Sequence, residues 1–251
     1  TTASDVTYTG AVSGAGQLEI RAGTKVLTAG GSLTHTGGTL VRNGTLLATA
    51  GWAGDTAGDI TVLTGATARL NVQLDKAITS GAVGTPTLVV GDVAGLLAGQ
   101  VVVGTGIPAG TTIQNINAGT RTLTLSANLT VAASGTLQVA NDLSADGVFV
   151  GAGTIVKEGI GSLTLNTPTT AFSGTYRSVA GSTNLGEDNL FGNPAGVVAA
   201  VDLQGSSVLN ILDGTTQSFR NLTGSAASTI VFADVGSVAN LQVDPSGNYS
   251  F

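Results

Sequence analysis

The chain has 251 residues, a formal net charge of −6, a single His, and neither Cys nor Met. Apolar residues make up 42% and charged residues only 10%, against about 25% charged in ordinary soluble domains, so the chain is expected to fold rather than stay disordered. Without Cys there is no disulfide, thiolate metal ligand or Cys nucleophile. Nine scattered Lys and Arg supply no basic footprint for nucleic acid.

Gly accounts for 38 residues and Pro for 5. β-branched residues punctuated by Gly predict many short strands joined by tight turns. No run longer than about ten residues reads as an amphipathic helix. The chain starts with Thr, shows no signal peptide and has no apolar run of about 18 residues. It is therefore expected to be a mature or excised segment without a membrane-spanning helix. The absence of Cys fits export through an oxidising compartment.

Along the chain, the first organising feature is a repeat. Residues 14–48, GAGQLEIRAGTKVLTAGGSLTHTGGTLVRNGTLLA, overlay on 151–186, GAGTIVKEGIGSLTLNTPTTAFSGTYRSVAGSTNLG. Both open on Gly-Ala-Gly, continue with a short strand ("LEI", "TIV"), and reach a basic residue, Arg21 or Lys157. A Gly turn and a second strand follow, and the turn "HTGGT" meets "FSGTY". Such a unit cannot bury its apolar face alone, but it can when stacked on copies of itself. Alternation is visible where Leu163 and Leu165 face one way and Ser162 and Thr164 the other. Residues 60–74 repeat this spacing. Thr-x-Thr does not recur at a fixed rung position, which argues against a flat ice-binding ladder.

Residues 85–139 break the rung pattern. Their core, VAGLLAGQVVVGTGIPAGTTIQNI, resembles a small β-module of phage and bacterial surface proteins. The flanking stretches read as continuous rungs, so 85–139 is expected to be a β-module inserted into the repeat. Insertions of this kind map to loops and often carry a binding face. Residues 201–224 and 228–244 continue the strand–Gly turn–strand steps.

Gly151, Gly153, Thr154, Lys157, Gly159, Gly161, Leu163 and Leu165 stand in the order of the autotransporter-associated β-strand repeat, and HTGGTLVRNGTL (35–46) resembles its closing half. The chain is thus similar to passenger domains of Gram-negative type V secretion proteins. His35 stands where that repeat usually has Tyr, and the second copy departs by carrying FSGTY at the turn. The resemblance implies secretion or surface display through the chain's own translocator barrel and, for a monomer, non-catalytic contact with a host-cell receptor or glycan, as an adhesin or virulence effector. It implies no particular activity.

Each candidate for chemistry has a simpler structural reading. His35 has no Gly-x-Ser-x-Gly elbow to serve as base for, and a lone His is a poor metal site. Asp55 and Asp59 in GWAGDTAGDI, and Glu187 and Asp188 in GEDN, invite a glycosidase reading, yet Asp in Gly-rich turns favours Asx turns. No calcium loop pattern surrounds Glu187. GTGIPAG (104–110) lacks the Lys-Ser/Thr and the helix that phosphate loops need. Asn-x-Ser/Thr triplets at Asn43, Asn128, Asn221 and Asn248 are expected by chance in a Ser- and Thr-rich chain.

The expected architecture is all-β: a right-handed parallel β-helix, or solenoid, of about eight to ten rungs. Rungs occupy 1–84 and 140–251, with the module at 85–139. No catalytic residue, cofactor or metal is assigned. The contact candidates are Trp52, Asp55 and Asp59 in one loop, and Ile107 and Pro108 in the module. The alternatives are a polysaccharide hydrolase or lyase on the same fold, marked by acids converging on neighbouring rungs, and a structural array or phage-fibre protein.

Overall fold

The computed structural model describes residues 4–21, 24–29, 33–48, 58–145, 147–168, 171–192, 198–212, 214–233, 240–243 and 249–250. Among them the chain is all-β, with no helix. It forms two compact units. One joins Thr1–Val72 to Asp142–Phe251, and the other is Gln73–Asn141.

The first unit is a parallel β-solenoid of about nine turns. Its described strands fall on three faces, visited in a constant order along the chain. Face one is a nine-stranded sheet, running Ser4–Tyr8, Thr24–Ala29, Thr45–Ala48, Thr67–Asn71, Thr154–Glu158, Thr175–Ser178, Ala200–Leu203, Asn221–Gly224 and Tyr249–Ser250. Face two includes the ladder of Leu143–Ala145, Ser162–Leu165, Ser182–Leu185, Val208–Leu212 and Thr229–Ala233. Face three includes Leu18–Ile20, Thr39–Val41, Ile60–Val62 and Phe149–Gly151.

Alternation within each short strand sends every second side chain inward. On face one, Leu46, Ala68, Ile155, Tyr176, Val201 and Leu222 stack in one buried column. Aromatic rings continue the stack through the interior: Phe149 lies 6.1 Å from Phe172 and 6.4 Å from Tyr176, and Tyr176 lies 4.7 Å from Phe191. The Tyr176 hydroxyl, fully buried, shares a 2.7 Å hydrogen bond with Thr183 Oγ1. A buried phenol needs such a partner. Outward on face one, Thr45, Thr67, Thr154 and Thr175 stand in register. The column two residues on reads Leu47, Arg69, Val156 and Arg177, so no double Thr ladder forms.

The ladder itself shows how the second unit is accommodated. Thr45 to Thr67, Thr154 to Thr175 and Ala200 to Asn221 are steps of 22, 21 and 21 residues between paired rungs. Thr67 to Thr154 is a step of 87, yet Thr67–Asn71 pairs directly with Thr154–Glu158 over five residues. The rungs close over the insertion as though it were not there.

The inserted unit is antiparallel. Its six strands run in the order Val102–Val103, Thr136–Ala140, Gln73–Gly81, Thr87–Val90, Thr122–Leu125, Ile113–Asn117. The two outer strands then meet. Val101 and Thr112 form an antiparallel bridge, Val102 N–H donates to Thr111 O at 2.9 Å, and Ile113 N–H donates to Gln100 O at 2.9 Å. The sheet therefore closes into a small barrel, which removes the free edges that invite strand pairing with other chains. Leu88, Val90, Val102, Ile113, Leu123 and Leu137 belong to a buried core that is separate from that of the solenoid.

The structure departs from the sequence expectation in two places. The inserted unit begins at Gln73, not at residue 85, and ends at Asn141. Residues 73–81 alternate like a rung, but their partners are Thr136–Ala140 and Thr87–Val90. The repeat overlay is also out of phase by one face. Leu18–Ile20 lies on the ladder of Phe149–Gly151, reached through Thr39–Val41 and Ile60–Val62, not on that of Thr154–Glu158. Triplets of apolar residues between Gly turns look alike on all three faces, and only pairing tells them apart.

Candidate functional site

The outer wall of the barrel presents an uncharged surface. Strand Thr87–Val90 reads exposed–buried–half-buried–buried, and Thr122–Leu125 alternates in the same way. Register places Thr87, Thr124 and Asn115 in one outward row. A second row beside it runs Ser80, Val89, Thr122 and Asn117. Two open grooves lie along this wall, one of about 450 Å³ beside Ser80, Thr85 and Thr87, the other of about 480 Å³ beside Asn115, Thr122 and Thr124. Neither groove has an ionisable side chain; the first is largely apolar, with Gly81, Ala82 and Val89 beside its hydroxyls, and the second is lined by hydroxyls and amides. Such groups donate and accept hydrogen bonds without selecting for charge.

Among the contact candidates, the structure describes Asp59, Ile107 and Pro108. Trp52 and Asp55 lie outside the described residues. Asp59 is exposed at a solenoid corner, beside a groove that Gln17, Thr36 and Thr61 also line. Its Oδ1 accepts a 3.2 Å hydrogen bond from Val148 N–H, and its backbone carbonyl accepts one from Thr39 N–H at 2.7 Å. Asp59 thus ties the rung before the insertion to the rung after it. Ile107 packs half-buried against the barrel core, and its N–H donates to Gly104 O at 3.1 Å. Pro108 O accepts from Thr111 Oγ1 at 2.6 Å. Both hold the barrel's 104–110 turn in place. Asp59 belongs to the solenoid, and Ile107 and Pro108 to the barrel.

His35 is not a turn residue. It ends the strand Leu33–His35 and faces inward, 5% exposed, with Nε2 at 2.9 Å from Thr39 Oγ1. By chain order this is a face-two strand, whose inward positions elsewhere hold Leu163, Leu165 and Leu185. Its Nδ1 is buried without a hydrogen-bond partner. Of the acid pair in GEDN, Asp188 Oδ1 accepts the Thr216 N–H at 2.6 Å, and the Glu187 carbonyl accepts from Gln217 Nε2 at 2.6 Å. Both fasten a loop to the next rung. Among the described residues no group of three or more His, Cys, Asp or Glu is placed to hold a metal ion.

Lys157 stands at a repeat position, which in the sequence carries no sign of chemistry. It occupies an inward column on face one, between Leu70 and Ser178 in register, and is fully buried. Its ammonium donates to Gly159 O at 3.0 Å, to Gly161 O at 2.6 Å and to Ala180 O. Three acceptors match the three protons of an ammonium. Gly181 makes room for it: its φ is +63°, and a side chain there would run into Nζ. Burial pushes the Lys157 ammonium down to about 7, and the nearby Asp142 carboxylate opposes that. This corner lies one rung from the point where the barrel is inserted, since Gly161 N–H donates to Val72 O at 3.1 Å and Ser162 N–H to Asp142 Oδ1 at 2.7 Å.

Among the described residues, two ion pairs join neighbouring rungs of face one. Arg69 holds Glu158 through two hydrogen bonds, of 2.8 and 2.9 Å, and Arg177 Nε donates to Asp202 at 2.7 Å. Lys76 pairs with Asp92 in the barrel and holds that carboxyl below the usual range. Compared with known proteins, the chain matches no family model, no curated protein and no solved structure.

Proposed function

We propose that this chain is a secreted or surface-displayed solenoid of the autotransporter-passenger type that acts by non-catalytic contact with host cells or surfaces. The barrel is its contact element. One observation carries the reading: a barrel with its own core is inserted into an otherwise continuous parallel ladder. A solenoid gains nothing in stability from such an insertion, because the rungs on either side already pair with each other. What it gains is a presented surface. The uncharged wall of Thr87, Thr124 and Asn115 suits a hydroxyl-rich glycan or a neutral protein surface better than nucleic acid or an acidic membrane. The order of Gly151, Gly153, Lys157, Gly161, Leu163 and Leu165 supports the passenger assignment. Surface display follows from that likeness.

The test is deletion of residues 73–141, with Val72 joined to Asp142 through a Gly-Gly spacer. The shortened protein should keep its circular-dichroism β signal and lose binding to host cells and to a glycan array. Undiminished binding by a folded deletion variant overturns the barrel as contact element.

A further inference from the structure

Asn43 is followed by Gly44, and it is the one Asn among the fourteen in this chain that precedes a Gly. The others precede residues whose side chains crowd the next amide nitrogen. Asn43 is exposed in the turn between Thr39–Val41 on face three and Thr45–Ala48 on face one. Gly44 has φ +77°, a conformation that suits a residue without a side chain. Its N–H is directed at the Asn43 side chain, donating to Oδ1 at 2.8 Å. The turn thereby holds the Gly44 nitrogen against the side-chain amide, with no Cβ in the way. Meanwhile the Gly44 carbonyl is fixed in the ladder, accepting from Thr67 N–H at 3.0 Å.

We propose that Asn43 is a self-modification site, at which this turn converts its own amide to a carboxylate in the folded protein. The Gly44 nitrogen attacks Asn43 Cγ and forms a five-membered cyclic imide. The side-chain nitrogen leaves as ammonia, taking up the proton that Gly44 loses. Solvent water then opens the ring at either carbonyl, giving Asp or isoaspartate. No oxidation or reduction is involved. The isoaspartate form inserts a methylene into the main chain just before Gly44. That displaces the carbonyl bonded to Thr67 and loosens the pairing of Thr45 with Thr67. The new carboxylate also appears beside Arg42, which is already paired with Glu19. The site is therefore an ageing mark written into one rung of the solenoid.

The test holds the intact protein at mildly alkaline pH, then maps its peptides by mass and labels isoaspartate with isoaspartyl methyltransferase. Asn43 should show the mass shift of amide-to-acid exchange before any other Asn. Asn43→Gln, which disfavours the five-membered ring but keeps an amide in the turn, should lose both the shift and the label while retaining the β signal. Two results overturn the proposal: another Asn converting first, or Asn43 staying intact in the folded protein while converting in the urea-unfolded chain.

Discussion

Gln73 lies directly opposite Ala140, the first pair of the antiparallel ladder between Gln73–Gly81 and Thr136–Ala140. Paired residues in such a ladder are only about 5 Å apart, so the barrel leaves and rejoins the chain at neighbouring points. This is why Thr67–Asn71 and Thr154–Glu158 can pair undisturbed.

The first prediction follows from that geometry. Asn71 aligns with Glu158, and Leu143 with Leu163. In the uninterrupted rung four residues separate these positions. Deleting 73–141 leaves only Val72 and Asp142, so a Gly-Gly spacer restores the length. The resulting solenoid should unfold cooperatively, with a far-ultraviolet spectrum unchanged in shape. The excised barrel, residues 73–141, should fold by itself, since its core and its closed sheet are its own. Amide exchange protection on Leu88, Leu123 and Leu137 in the isolated fragment checks this.

Lys157→Met removes the internal ammonium and strands three buried carbonyls. Each unsatisfied buried polar group costs about 1–3 kcal/mol, partly recovered by relaxation, so a loss of about 3 kcal/mol is expected. Urea unfolding of the two proteins at a common pH measures it.

The same pair of proteins has a characteristic pH dependence. Burial lowers Lys157 from an ordinary value of 10.5 to about 7 in the folded state. Between these values the unfolded chain binds the extra proton, so folding stability rises with pH across that window. The stability of the wild type relative to Lys157→Met should therefore be flat below about pH 7 and should grow between 7 and 10.5. A difference that stays flat up to about 10.5 and shrinks only above it would show the ammonium to be favoured by its three carbonyls more than it is penalised by burial.

Tyr176→Phe keeps the ring stack with Phe149 and Phe191 but deprives Thr183 of its 2.7 Å partner. The expected loss is about 1–2 kcal/mol. Adding Thr183→Val should recover part of it, because the second change removes the stranded hydroxyl. A double-mutant cycle by thermal unfolding reads the coupling.

On the barrel wall, Thr124 lies between Thr87 and Asn115. Thr124→Glu places a carboxylate in the centre of an uncharged surface. Being half-exposed, it should change stability by no more than about 0.5 kcal/mol, yet it should abolish cell or glycan binding if this wall makes the contact.

What was legible in the sequence follows from local periodicity. Leu163 and Leu165 alternate with Ser162 and Thr164, Gly turns recur at short intervals, and a unit so small must stack to bury anything. These features determined an all-β solenoid and the presence of an insertion. The structural reading of His35 rests instead on the missing nucleophile elbow and the lack of a second His or Cys, and the structure buries it in a strand. Pairing decided the rest. Residues 73–81 look like a rung strand until Thr136–Ala140 and Thr87–Val90 claim them. The phase of the repeat slipped by one face because LEI at 18–20 and TIV at 154–156 are alike as triplets. The barrel wall gave no motif, since Thr87, Asn115 and Thr124 become neighbours only when three strands align. Lys157 looked like a repeat residue, and only folding brought Gly159, Gly161 and Ala180 around its ammonium. Side-chain alternation is written in adjacent residues, whereas strand partners and buried acceptors depend on contacts between residues far apart in the chain, which only the tertiary structure sets.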